Sequence, residues 1–212
     1  MTHIDYTLYL VTDRSVMSAK SLEQAVEQAI QGGCTVVQLR EKYASSREFF
    51  ETAQRVKQIT DSYHIPLIIN DRTDICLAVN AAGIHIGQQD LPAKIVRSMV
   101  GPDKIIGVSA ATLSEAIQAE QDGADYLGVG AMFATSTKTN TRPVTIEQLT
   151  QINQAVQIPV VAIGGIQSSN VTTLTDTGID GIAVVSAILA QENITHAAEQ
   201  LKACFTGAGH EF

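Results

Sequence analysis

Residues 68–72 read "IINDR", an apolar run that stops at an amide, a carboxylate and a guanidinium. The same change from apolar run to polar cluster recurs along the chain. "QLREK" carries Gln38, Leu39, Arg40, Glu41 and Lys42, "GQQD" ends at Asp90, "IIGVS" ends at Ser109, and "FATSTKTNTR" holds Thr135, Ser136, Thr137 and Lys138. Two carboxylates, Asp71 and Asp90, suit a hard cation such as Mg²⁺, which takes one or two carboxylates and completes its shell with water and phosphate oxygens. Arg40, Lys42 and Lys138 add positive charge, and cations beside a metal point to a multiply charged anion such as diphosphate. Gly164-Gly165 and the stretch around Ser186 suggest a second anion site, where backbone amides approach a phosphate closely. Two phosphate sites at one mouth imply two phosphorylated substrates being joined.

Each cluster also has a plainer use. Asp71 would cap a helix over residues 73–79, and Asp90 before Leu91-Pro92 would cap the next one, since proline suits early helical positions. Ser109 would satisfy amides near the fifth helix, the glycine pair would relieve crowding in a tight turn, and the threonine-rich loop would be a solvated connection. The chemical reading therefore needs a fold that brings these clusters to one rim.

The elements supply one. Short β-branched runs at 8–12, 35–40, 66–70, 83–87, 104–109, 125–130, 159–165 and 181–186 read as eight strands. Between them, "SLEQAVEQAIQGG", "REFFETAQRVKQITDSY", "TLSEAIQAEQDG", "TIEQLTQINQAV" and "SNVTTLTDTG" have helical spacing, several ending in glycine. Thr112 with Glu115 marks the start of the fifth helix. Near-continuous apolar strands belong to a parallel sheet covered on both faces. The economical arrangement is α/β, a single (β/α)8 TIM barrel over residues 1–212 with a frayed tail at 206–212, and such barrels gather their chemistry at the strand C-termini. An open doubly wound sheet is the alternative, but "VTDRSVMSAK" lacks its glycine-rich fingerprint.

Composition narrows the partners. The 212 residues are 45% hydrophobic with a net charge of -8, which argues against nucleic acid. Cys34, Cys76 and Cys204 are too scattered for a disulfide framework or zinc site and read as reduced thiols. The N-terminal residues lack a signal-peptide pattern and no apolar run suits a bilayer, so a cytoplasmic protein with no membrane partner is expected. The assembly state stays open, a homodimer included.

The ordered motifs "LYLVTD", "QLREK", "IINDRTDICLAVNAAGIHIGQQDL", "IIGVSA", "GADYLGVGAMFATSTK", "IPVVAIGGI" and "GIDGIAVVSAI" resemble the thiamine phosphate synthase family over nearly the whole chain. The resemblance implies a (β/α)8 barrel that joins hydroxymethylpyrimidine diphosphate to thiazole phosphate with Mg²⁺, releasing diphosphate. Its motifs carry over Gln38, Leu39, Arg40, Glu41, Lys42, Asn70, Ser109 and Lys138 to the pyrimidine diphosphate. Of these, Arg40, Lys42, Ser109 and Lys138 are the catalytic candidates. Asp71 and Asp90 would hold the metal, and Thr135, Ser136, Thr137, Gly165, Val185 and Ser186 the thiazole phosphate. Such a reaction proceeds by ionisation and needs no nucleophile-base triad. Two departures stand out: "GVSAAT" has Ala111 where the family usually has histidine, and "TKTNTRPVTIEQL" lacks a glycine before the sixth helix, leaving Arg142 without an assigned contact. The rivals are a thiazole tautomerase, which would use that histidine for proton transfer, and a non-catalytic phosphate-binding regulator. His85, on an apolar strand, reads as a hydrogen-bonded core residue.

Overall fold

The apolar runs become strands, most of them shorter than the run by one or a few residues, while the run at 104–109 becomes a strand over 105–110. The structure, a computed structural model, describes residues 4–135 and 142–207. β1 (Leu8–Val11), β2 (Val36–Leu39), β3 (Leu67–Asn70), β4 (Gly83–Ile86), β5 (Ile105–Ala110), β6 (Tyr126–Val129), β7 (Val160–Ile163) and β8 (Gly181–Val184) follow in order. Each pairs in parallel with its sequence neighbour, and β8 pairs with β1. The sheet is therefore a closed barrel, which excludes the open doubly wound alternative.

Helices α1 (Leu22–Gln31), α2 (Ser46–Ser62), α3 (Thr73–Ala78), α4 (Ala93–Val100), α5 (Leu113–Gln121), α6 (Ile146–Ala155), α7 (Ser186–Leu189) and α8 (Ile194–Thr206) surround it. Local chemistry starts them. Ser21 accepts from the Gln24 amide at the head of α1, whose buried stripe is Leu22, Ala25, Val26, Ala29 and Ile30. Ser45 and Glu48 close a capping box on α2, and Thr112 caps α5 as its motif predicts.

One expected helix takes another form. Residues 169–178 have helical spacing, yet Val171–Thr177 is a 3-10 segment ending at left-handed Gly178. Thr173, Thr175 and Thr177 each donate a hydroxyl to the carbonyl three residues back, which favours the tighter winding. The chain also ends differently from expectation. Ser186 opens the short α7, and α8 follows it, running through Thr206 to left-handed Gly207. Of the tail expected to fray, 206 and 207 are thus the last helical residue and its cap, and 208–212 lie outside the described residues.

Two apolar layers hold the fold. Leu10, Leu39, Ile69, Ile84, Leu127 and their neighbours fill the space between barrel and helices, while Tyr9, Val11, Val36, Ile68, Tyr126, Val161 and Ala183 fill the barrel. Strand side chains alternate between these layers. Truncating a residue such as the fully buried Leu39 to alanine would cost about 2–5 kcal/mol.

Candidate active site

The strand ends open into one cleft of about 1390 Å³. A drug-sized ligand typically fills roughly 300–1,000 Å³, so this cleft has room for two small phosphorylated molecules. Gln38, Arg40, Glu41, Lys42, Asn70, Asp71, Asp90, Ser109, Thr135, Gly165, Val185 and Ser186 all line it. Leu39 does not. Its side chain is buried in the barrel-helix layer, because the two-residue period of β2 that turns Gln38 inward turns Leu39 outward. A contact of Leu39 with the pyrimidine diphosphate would therefore have to come from its backbone. Ser136, Thr137 and Lys138 lie outside the described residues.

"IINDR" divides its labour. Asn70 closes β3 opposite His85, and the next amide, that of Asp71, donates to the His85 carbonyl (2.9 Å). Asp71 then turns left-handed, with φ 62°, and its exposed side chain lines the cleft. It does not cap α3, whose N-cap is Arg72 without a side-chain bond. Arg72 instead grips Asp74 (2.5 Å) and Ser46 Oγ (2.8 Å), tying the starts of α2 and α3 together. Asp90 is likewise no helix cap, since Pro92 precedes α4 and the Asp90 carboxylate accepts the Gly87 amide (2.7 Å). That bond occupies one carboxylate oxygen and leaves the other for a ligand.

The cations are partly held in advance. Arg40 donates to Asp13 (2.8 Å) and Arg14 to Glu41 (2.6 Å) at the cleft wall. Burial alone would raise the Asp13 carboxyl, but bonds from Ser15 and the charge of Arg40 hold it below its ordinary value. Asp13 and Arg14 escape a reading based on later strands, although "LYLVTDR" makes the same apolar-to-charged change as "IINDR".

Across the mouth, Arg142 donates to both carboxylate oxygens of Glu115 (2.7 and 2.8 Å), which also accepts the Ala111 amide (2.8 Å). Burial would push Glu115 up, yet the Ala111 amide and Arg142 keep its carboxyl low. Arg142 thereby gains the contact its sequence left unassigned, beside the methyl group that stands in place of histidine.

The glycine pair is explained first by crowding. Gly164 and Gly165 have φ of 101° and 65°, and a Cβ would lie 2.6 Å from Ala131 Cβ and 2.5 Å from the Ala134 carbonyl oxygen, respectively. They let the loop after β6 fold onto the end of β7, where Met132 and Phe133 amides reach Ile163 and Gly164 carbonyls (3.0 and 2.9 Å). The same bend leaves Gly165, Val185 and Ser186 facing the cleft, and α7 begins there with no side-chain cap.

A closed (β/α)8 barrel with cations, two carboxylates and glycine turns at its strand-end rim is the architecture of a barrel enzyme acting on anionic substrates. The model of the family described as thiamine monophosphate synthase matches residues 8–188. Thiamine-phosphate synthase of Ruminiclostridium cellulolyticum is 61% identical over 95% of this chain and 96% of its own, and that of Methanobrevibacter smithii 51% over 95% and 96%. The solved thiamine phosphate pyrophosphorylase of Pyrococcus furiosus superposes with a TM-score of 0.89 at 38% identity, covering 97% of this chain and 98% of its own. The chain belongs to the thiamine monophosphate synthase family, transferases of thiamine biosynthesis. A geranylgeranylglyceryl phosphate synthase of Thermoplasma acidophilum, at TM-score 0.73 and 17% identity, shares the fold alone. Among the described residues no helix is long and apolar enough to cross a membrane.

Proposed function

We propose that the cleft binds hydroxymethylpyrimidine diphosphate along Gln38 to Lys42, Asn70 and Ser109, and thiazole phosphate along Thr135, Gly165, Val185 and Ser186, and joins them. One observation carries this reading: both sets of residues, from opposite edges of the barrel mouth, line a single cleft. Ser136, Thr137 and Lys138 complete the assignment from sequence. In the reaction the bond from the pyrimidine methylene carbon to the diphosphate oxygen breaks, and its electron pair leaves with diphosphate. The aminopyrimidine delocalises the cation, and the thiazole nitrogen lone pair forms the new carbon-nitrogen bond. No proton is transferred, so no general base is required.

The residues at the rim fit Mg²⁺. Asp71 and Asp90 offer hard oxygen donors, with Asp90 already oriented by the Gly87 amide. Mg²⁺ held there would neutralise charge on the departing diphosphate. Arg40 and Lys42 serve the same end from the chain itself, Arg40 with its guanidinium oriented by Asp13. Ala111 offers no imidazole for proton transfer and Glu115 is engaged by Arg142, which weighs against a tautomerase. The substrates on this reading are free phosphorylated molecules of the cytoplasm.

The test is thiamine phosphate formation from both substrates, read as thiochrome fluorescence after oxidation. Product should need Mg²⁺, vanish with EDTA and be lost in Asp71→Asn/Asp90→Asn. Product that persists with chelator or in the double variant would overturn the metal assignment. No product from the wild-type chain, with thiazole phosphate still bound by calorimetry, would overturn the synthase reading.

A further inference from the structure

Along the lining of the cleft, five side chains from five strands form one line of hydrogen bonds. Gln38 Nε2 donates to Tyr9 Oη (2.9 Å), the Tyr9 and Tyr126 hydroxyls lie 2.7 Å apart, Tyr126 Oη is 2.9 Å from His85 Nδ1, and His85 Nε2 is 2.9 Å from Ser109 Oγ. The two phenols are 1% and 0% exposed, so water cannot substitute for either partner. All five line the cleft, and the two ends, Gln38 and Ser109, are those assigned to the pyrimidine on the proposed reading. A TIM barrel interior is ordinarily filled by branched aliphatic residues, and here the strands make space for rings instead. A Cβ at Gly107 would lie 2.1 Å from Tyr126 Cζ, and one at Gly128 3.0 Å from His85 Cε1.

Proton counting gives the line a direction. Burial pushes both phenols well above their ordinary value, so each keeps one proton to donate. Because Tyr9 accepts from the Gln38 amide, its own proton goes to Tyr126, and the Tyr126 proton goes to His85 Nδ1. An imidazole that accepts at Nδ1 carries its proton on Nε2 and donates it to Ser109. Two groups are then left over among the described residues: the Ser109 hydroxyl proton and the Gln38 carbonyl oxygen. The opposite direction would need Tyr9 to donate to Gln38 and Ser109 to donate to His85, which would present an amide donor and a bare hydroxyl lone pair to the cleft.

We propose that Tyr9 and Tyr126 are positioning residues whose hydroxyl relay holds His85 as the neutral Nε2–H tautomer and thereby presents Ser109 as a donor and Gln38 as an acceptor to the pyrimidine. Donor beside acceptor complements an aminopyrimidine edge, where an exocyclic amino group adjoins a ring nitrogen. The choice of ligand rests on the proposed synthase reading; the tautomer does not.

The test uses the ¹⁵N-labelled whole protein without substrate. Long-range ¹H–¹⁵N correlations read the His85 tautomer, with His85→Gln identifying its signals. The wild type should show Nε2–H, and Tyr126→Phe, which removes the donor to Nδ1, should convert it to a mixture or to Nδ1–H. Losing one neutral hydrogen bond's worth of orientation should raise KM for the pyrimidine diphosphate about tenfold in Tyr126→Phe while KM for thiazole phosphate stays within about twofold. Tyr9→Phe, farther from His85, should change both readouts in the same direction by less, and serves alone if Tyr126→Phe does not fold. Nδ1–H in the wild type overturns the proposal. So does an unchanged tautomer in the folded variants, or equal losses for both substrates, which would mark a purely structural network. A wild type with the expected tautomer but no synthase activity would instead sink the proposed function and leave the relay standing.

Discussion

Asp71 lets backbone and carboxylate be tested separately. Its φ of 62° places it in the left-handed region, which glycine adopts freely, asparagine and aspartate tolerate, and alanine adopts at a cost of roughly 1–2 kcal/mol. Asp71→Gly and Asp71→Ala remove the same carboxylate but differ in that cost. For a chain of this size the alanine variant should therefore melt about 2–8 °C below the glycine variant. If the carboxylate acts on charge developing at the diphosphate, both variants should lose activity alike, by about 10²- to 10³-fold. Asp71→Asn should keep the wild-type melting temperature and lose activity as they do, with partial recovery at high Mg²⁺. Differential scanning calorimetry and the thiochrome assay on the three proteins supply the numbers. An alanine variant as stable as the glycine variant would refute the strained turn, and an active Asp71→Gly would refute the role of the carboxylate.

Gly165→Ala should lower the melting temperature and raise KM for thiazole phosphate more than for the pyrimidine, because its Cβ would meet the Ala134 carbonyl oxygen at 2.5 Å and displace the loop facing the cleft; equal KM changes would count against it. Acid stability follows Asp13 and Glu115. Both carboxyls are held below their ordinary values of 3.8 and 4.5, so the stability they add is present above those values and is lost as pH falls through the lower folded ones. The melting temperature should be nearly flat above about pH 5 and drop below it, less steeply in Glu115→Gln; a parallel drop in that variant would show that Glu115 contributes nothing. Thiols divide by burial. Burial pushes Cys34 up to about 12 and Cys76 to about 11, so at pH 8 a disulfide reagent should reach only half-buried Cys204 in the native protein and all three cysteines after denaturation. Fast labelling of Cys76 would contradict its packing against the Gly83 carbonyl.

The order of strands and helices was legible in the sequence because its causes are local. Apolar runs, Ser21, Ser45 and Thr112 at helix starts, and glycines at helix ends act over a few residues, and eight such units leave few ways to bury both faces of the sheet. The polar residues at strand ends were legible for the same reason, since the barrel brings every strand end to one rim. Spacing did not show that Leu39 turns away from the cleft, that three threonines would wind 171–177 into a 3-10 segment, or that neither Asp71 nor Asp90 caps a helix, Asp90 instead accepting the Gly87 amide. The relay was hidden altogether. Tyr9 and Tyr126 stand 117 residues apart and read as ordinary apolar strand positions; they meet because closure of the barrel turns both inward, and because Gly107 leaves the space that Tyr126 occupies. What residues lie at the rim is set by local pattern, whereas which atoms they offer a substrate depends on partners that only the closed barrel's register brings within hydrogen-bond distance.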